Sequence, residues 1–219
     1  MENIRSRAQA RATSTENRRV YFFMKRSTDI VISITLLLLL APLMVFICIR
    51  IIKKEGKPIF FRQRRVGKFN QSFIVWKFRT MTNPSRVIRA FPPHPVPASW
   101  DEGVPDDFNF ERDSYITVTP TGTWIRKYKL HKLPQLWNVL KGDMSLVGPT
   151  PEIPEIVDYY NYYQMKRLKV RPGMIGYTQL KGELNYSEKI RCDLFYIGNC
   201  SIRMDVKILM QIIKSVLSS

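Results

Sequence analysis

From Ile30 to Ile49 the chain runs for twenty residues without a charge, as IVISITLLLLLAPLMVFICI. That is long enough to cross the hydrocarbon of a bilayer as one helix. It does not read as a cleaved leader, because 29 residues precede it and no small-residue cleavage site ends it. Two features argue against a simple crossing. Pro42 sits in the middle, where it removes a helix hydrogen bond and kinks the chain. Arg5, Arg7, Arg11, Arg18, Arg19, Lys25 and Arg26 precede the run, and Arg50, Lys53, Lys54, Lys57, Arg62, Arg64, Arg65 and Lys68 follow it. Positive residues stay on the cytoplasmic side. A spanning helix sends one cluster outside, whereas a helix–break–helix keeps both inside. The charge pattern therefore predicts a re-entrant membrane hairpin over 30–52, with the break at Pro42.

The remainder has one domain's worth of residues. Its 45% hydrophobic content supports a packed core. There are 35 Lys and Arg against 18 Asp and Glu, a formal charge of +17, which calls for an anionic partner. With a membrane segment present and no nucleic-acid-binding motif visible, that partner is expected to be anionic inner-leaflet lipid or a phosphorylated ligand, not nucleic acid. The three cysteines, Cys48, Cys192 and Cys200, are odd in number and suggest a reduced, cytosolic environment. The two histidines show no zinc spacing with them, so no structural metal site is expected.

Residues 1–20 are polar and Arg-rich without periodicity, and read as a basic disordered arm. Ile59–Phe61 and Phe73–Trp76 read as the strands of a short β-hairpin, with Gln63 to Ser72 as the turn. Residues 82–115 hold six prolines and six acidic residues, a third of the acidic total, and read as a long loop. Helices are expected near 122–129 with Thr123 as the cap, from Pro134 to Leu140 with Gly142 as the stop, from Glu155 to Lys169, and from Asp205 to Leu217. The third carries Tyr159, Tyr160, Tyr162 and Tyr163 beside Lys166, Arg167 and Lys169, a composition that suits a membrane–water interface; an aromatic core stripe on a solvent helix is the other reading. The fourth is amphipathic. The fold class expected is α+β and mostly helical: a re-entrant membrane helix plus a small cytosolic domain with a short hairpin and amphipathic interfacial helices.

Three stretches are unusually specific. They are Lys77-Phe78-Arg79-Thr80-Met81, the seventeen residues from Leu133-Pro134-Gln135 to Val147-Gly148-Pro149, and Arg171-Pro172-Gly173-Met174-Ile175-Gly176, with Asp193, Tyr196, Asn199, Ser201 and Asp205 downstream. Together with the Pro-broken hydrophobic segment they resemble the bacterial sugar transferase family, the single-domain polyprenyl-phosphate phosphoglycosyl transferases. The resemblance covers residues 22–217. It implies residence at the cytoplasmic face of the bacterial inner membrane. It also implies transfer of a sugar phosphate from a UDP-sugar to undecaprenyl phosphate, the step that starts exopolysaccharide, capsule or lipid-linked glycan synthesis. In the family an Asp-Glu pair just before Leu-Pro-Gln carries the reaction with Mg²⁺, the Asp forming a covalent intermediate. A carboxylate attacking a diphosphate meets like-charge repulsion, so metal and basic residues must neutralise it.

At the position of that pair this chain reads His131-Lys132, in a register fixed by the Leu-Pro-Gln that follows. The Pro-Arg-Pro of the family is Pro149-Thr150-Pro151 here, and a further expected Arg aligns with Glu183. A Mg²⁺ would meet an ammonium at Lys132, and repulsion disfavours it. The catalytic positions are thus His131 and Lys132, both substituted. The candidate phosphate-binding residues are Arg126, Lys77, Arg79 and Lys141. Two readings follow. The chain is a catalytically impaired or pseudoenzyme relative that retains the fold and membrane pose, and either pairs with an active homologue or binds nucleotide sugar or lipid phosphate. Alternatively it is an active transferase using displaced residues, with His131 as nucleophile in one form.

Overall fold

The computed structural model describes residues 2–82, 100, 102–105, 108 and 117–217, with side chains from Arg18 to Ser215. Most of the expected 82–115 loop lies outside the described residues. The architecture is mostly helical with two small sheets.

Helix α1, Glu2–Glu55, is a single helical run that includes Pro42, so the expected turn-back is not marked by a gap in the helix. It also takes in residues 2–20, expected as an irregular arm. That stretch contains no Gly or Pro and many Arg, Ala, Glu and Gln, which let a helix propagate toward its start. The run is long and apolar enough to cross a membrane. One face of it packs on the body: Asp29, Ser33, Ile47 and Ile51 are buried, with Leu36, Leu37, Leu40, Leu43 and Met44 half-buried against the core between them. These positions recur at three and four residues, the period of one helix face. The opposite face stays apolar and open, with Leu38 and Leu39 at 73% and 71% exposure beside Val31, Val45 and Phe46. Apolar side chains exposed that fully, in a contiguous stripe, mark a surface that something other than water covers.

Strands β1, Phe60–Val66, and β2, Ser72–Phe78, pair antiparallel in the expected hairpin, with Gln63 opposite Val75 and Phe61 opposite Lys77. The ladder runs further than the sequence suggested. The turn occupies only residues 67–71, where Phe69 and Asn70 take positive φ of 56° and 62° and reverse the chain tightly. Helix α2, Pro120–Lys127, starts one turn earlier than expected: Thr119, not Thr123, is its cap, accepting from the Gly122 N–H at 2.9 Å, and Pro120 fits the first helical position.

Helix α3, Gln135–Lys141, ends at Gly142 with φ 93°, as the sequence implies. Its last carbonyls accept from Arg26, at 2.6 Å for Val139 and 2.7 Å for Leu140, and Gly142 O accepts from Arg171 at 2.8 Å. Strand β3, Ser145–Val147, then pairs parallel with β4, Gly173–Ile175. The glycines of Val147-Gly148 and Pro172-Gly173 allow this: a Cβ on Gly173 would collide with the Gly148 backbone.

The expected helix 155–169 is broken into α4, Pro154–Val157, α5, Tyr162–Met165, and a 3₁₀ turn over Lys166–Lys169. Asn161 explains the break. It forms a capping box with Gln164 and restarts the helix. Lys166 lies over the rings of Tyr162 and Tyr163, at 5.0 and 5.6 Å. Helix α6, Tyr186–Asn199, was not foreseen and opens on a second capping box, Asn185 with Glu188. Helix α7, Ile202–Leu217, buries Asp205, Ile208 and Ile212. The main core joins Ile47 and Ile51 of α1 to Val75, Phe78, Ile125, Leu136, Val139, Met144, Tyr196 and Ile208. A second cluster sets Trp100 and Val104 against Ile153, Ile156, Tyr186 and Ile190.

Candidate active site

Period-two alternation places Gln63 and Arg65 of β1 and Val75 and Lys77 of β2 on one face of the hairpin. That face forms a wall of a cleft of about 310 Å³, completed by Lys132, Gln135, Thr150, Glu152, Arg167, Met174, Tyr186 and Lys189 among others. The hairpin is held in register with α3 by Asn138. Its Nδ2 donates to Ile74 O at 2.7 Å, and its Oδ1 accepts from Trp76 N at 3.1 Å.

Lys132 sits on a 3₁₀ turn, Leu130–Lys132, that follows Lys129 in the left-handed region at φ 56°. Its Nζ donates to Met174 O at 3.4 Å. With the Gln179 amide oriented to satisfy its neighbours, Gln179 Oε1 accepts from Lys132 Nζ and Gly176 N at 3.2 Å each. Lys77 Nζ donates to Gln63 Oε1 at 3.3 Å. Among the described residues neither ammonium has a carboxylate partner. Burial holds Lys77 down to about 7, helped by Arg65, Lys132 and Arg126. Burial also holds Lys132 down to about 8, helped by Lys129. The His131 ring is half-buried; burial first, then Lys132, Lys77 and Arg126, push it down to about 4, so it is neutral at physiological pH. Its Nδ1 is sealed from solvent without a hydrogen-bond partner.

The structure therefore gathers Lys77, His131, Lys132 and Arg126 into one region. Arg126 Nε donates to Thr80 Oγ1 at 2.9 Å. Of these four only Lys77 and Lys132 line the cleft, and the other two candidates, Arg79 and Lys141, lie away from it. Arg79 is buried with its guanidinium on the carbonyls of Glu55, Gly56 and Lys57, where it closes the end of α1. Lys141 is largely exposed and paired with Asp143 at 3.4 Å. Thr150 lines the cleft and its carbonyl accepts from Arg167 at 2.7 Å, whereas Glu183 is exposed outside it.

The sequence pattern does not single out the ionic network in the cleft wall. Arg167 donates to Asp193 Oδ2 at 2.7 Å, Glu152 Oε2 at 3.3 Å and Tyr160 Oη at 2.7 Å. Arg65 reaches Glu152 Oε1 at 3.5 Å, and Tyr186 donates to Glu152 Oε2 at 3.3 Å. Strand alternation could have found Arg65, had Gln63–Ser72 not been read as a turn. Nothing local to the sequence connects Glu152, Arg167 and Asp193.

The residues present do not fit Mg²⁺. A hard dication takes oxygen ligands, usually one or two carboxylates. Among the described residues Glu152 is the only carboxylate residue lining the cleft, and two arginines, a tyrosine and the Ile153 N–H already hold it. No group of three His, Cys, Asp or Glu side chains gathers anywhere among the described residues. The arrangement suits an anion: among the described residues five cationic side chains line the cleft against one carboxylate.

Comparison with known proteins agrees with the geometry. The chain is 36% identical over 204 residues to an undecaprenyl-phosphate galactose phosphotransferase of Salmonella typhimurium, covering 89% of this chain and 40% of that protein. It is 34% identical to the uncharacterized sugar transferase EpsL of Bacillus subtilis, covering 90% and 88% of the two chains. It is also 34% identical to the exopolysaccharide production protein ExoY of Sinorhizobium fredii, covering 88% and 84%. The chain thus spans two fifths of the first relative and most of the other two. The profile of the bacterial sugar transferases matches residues 20–219, and the chain belongs to that family.

Proposed function

We propose that this chain is a membrane-bound sugar transferase homologue that binds nucleotide sugar and polyprenyl phosphate but is impaired in transfer. It acts at the cytoplasmic face of the bacterial inner membrane, beside an active homologue, in exopolysaccharide or capsule assembly. The observation that carries this reading is the pair His131-Lys132. A nucleophilic carboxylate is expected at that position; the cleft wall offers the Lys132 ammonium instead, and the neutral His131 ring next to it in the chain does not line the cleft. Relatives whose names specify undecaprenyl-phosphate sugar transfer support the ligand class.

Both ends of the apolar run contact the same body, which supports a helix that enters and leaves on one side. Asp29 accepts from Leu146 N at 3.0 Å, and Ile47 and Ile51 lie in the main core.

The test is turnover of radiolabelled UDP-sugars with undecaprenyl phosphate and Mg²⁺. The wild-type chain is expected to show none, and measurable transfer overturns the impaired reading. The double variant His131→Asp, Lys132→Glu asks whether the rest of the cleft is intact; transfer appearing there places the defect at the pair.

One observation favours the alternative of a His131 nucleophile: the imidazole is neutral, the form that attacks phosphorus. Against it, Nδ1 is shut off from solvent. Turnover that is lost in His131→Ala and kept in Lys132→Ala would establish it.

A further inference from the structure

We propose that the cleft binds its phosphate-bearing ligand without a divalent cation, the ammonium groups of Lys77 and Lys132 supplying the two positive charges that a metal ion would bring. The inference rests on the reading that ligand binding is retained, and concerns how it is achieved.

Four observations carry it. First, the charge is right. Among the described residues, Arg65, Lys77, Lys132, Arg167 and Lys189 line the cleft against Glu152 alone, and Glu152 is already held by Arg65 and Arg167. Second, the two lysines are not neutralised from within. Their contacts are to neutral oxygens, Gln63 Oε1 for Lys77 and Met174 O and Gln179 Oε1 for Lys132, all at 3.2 Å or longer. An ammonium withdrawn from water among other cations is unfavourable until an anion joins it. Third, the two groups approach the cleft from separate elements, Lys77 from the end of β2 and Lys132 from the turn before α3, so their charges converge on one space. Fourth, the same positive field acts against a metal. Two ammonium groups repel Mg²⁺ from the space they share, and among the described residues no open carboxylate lines the cleft to offset that repulsion. The volume, about 310 Å³, falls at the lower end of small-molecule pockets.

The ligand chemistry is a phosphate or diphosphate, which a nucleotide sugar and a prenyl phosphate share. The experiment separates the two sources. The full chain in detergent, held at about pH 6 so that both lysines carry their protons, is titrated calorimetrically with UDP and, separately, with farnesyl phosphate, each in excess EDTA and each in excess Mg²⁺. At least one is expected to bind equally well, within about twofold, under both conditions. Lys77→Met and Lys132→Met are each expected to weaken that binding about tenfold, the scale of one lost charge-assisted hydrogen bond. Both variants remove an unneutralised buried charge, so thermal melts are expected to show that they stay folded. Binding that requires Mg²⁺ overturns the proposal and leaves retained binding intact. Metal-free binding that both variants keep at full strength also overturns it, because the ligand then sits elsewhere. Binding of neither probe under either condition removes the reading of retained binding, and this inference with it.

Discussion

Lys25 and Asp205 lie 180 residues apart in the sequence and 2.7 Å apart in the folded chain. The same carboxylate accepts from Tyr21 at 3.0 Å and from Tyr196 at 2.6 Å. One buried side chain of α7 thereby anchors the start of the apolar helix. Asp205→Ala leaves Lys25 without its partner in a nearly closed site. It should cost about 3 kcal/mol, in the range found when one member of a buried pair is removed. Thermal unfolding in detergent measures this, and a loss below about 1 kcal/mol would show that the contact is not structural.

The second prediction concerns Arg167. It neutralises Asp193 and Glu152 together, and all three are buried. Arg167→Met strands two carboxylates and should lower stability by about 3–5 kcal/mol. Because Glu152 lines the cleft, the variant should also weaken ligand binding more than the stability loss alone explains. Arg167→Lys, which keeps one charge but not the forked donor, should recover only part of the stability.

The pH dependence has a definite sign. The folded protein holds Lys77 at about 7, against an ordinary value of 10.5, so the unfolded chain binds the extra proton. The groups facing it are Arg65, Lys132 and Arg126, with neutral His131 alongside. The unfavourable contribution is fully present below about pH 7 and shrinks as pH rises toward 10.5. Stability should therefore rise with pH across that window, by up to about 1.4 kcal/mol per unit from this one group. Lys132, held at about 8, adds the same sign above that pH. Denaturant unfolding at several pH values checks this, and Lys77→Met should flatten the slope. A slope identical in the variant would mean that Lys77 keeps its proton throughout.

Membrane topology is the fourth prediction. Single cysteines introduced as Phe23→Cys and Lys54→Cys, in a chain whose Cys48, Cys192 and Cys200 are replaced by serine, should behave alike toward a membrane-impermeant maleimide. Neither should react in intact spheroplasts, and both should react after permeabilisation. Labelling of one alone in intact spheroplasts would establish a crossing helix.

Much of the fold was legible because it rests on local signals. The apolar run, the hairpin's alternating residues, Pro134 before α3 and Gly142 after it each act within a few residues. The parts that were missed rest on choices between neighbours or on distance. Thr119 and Thr123 are both competent caps, and Pro120 decides between them. Asn161 breaks the long helix by a side-chain contact that periodicity does not register. The parallel pairing of β3 with β4 spans more than two dozen residues and depends on two glycines meeting face to face. For the site, the sequence singled out Lys77, Arg126, His131 and Lys132, of which Lys77 and Lys132 line the cleft. It also grouped Arg79 with them, because a strand pattern gives the side of a residue and not its length of reach. Arg79 lies beyond the last residue of β2 and turns to the end of α1 instead.

That turn has a mechanical consequence. Arg79 holds Glu55 O and Gly56 O at 2.7 Å each, and its own N–H donates to Ile59 O at 2.9 Å. The short connection from helix to strand is therefore cinched shut, with no slack to absorb movement. Two residues before the cinch stands Lys77. Through this linkage the end of α1 and the end of β2 are tied together by the side chain and the backbone of one residue, Arg79. The apolar helix and the hairpin that carries Lys77 are thereby fastened to each other through the guanidinium of Arg79.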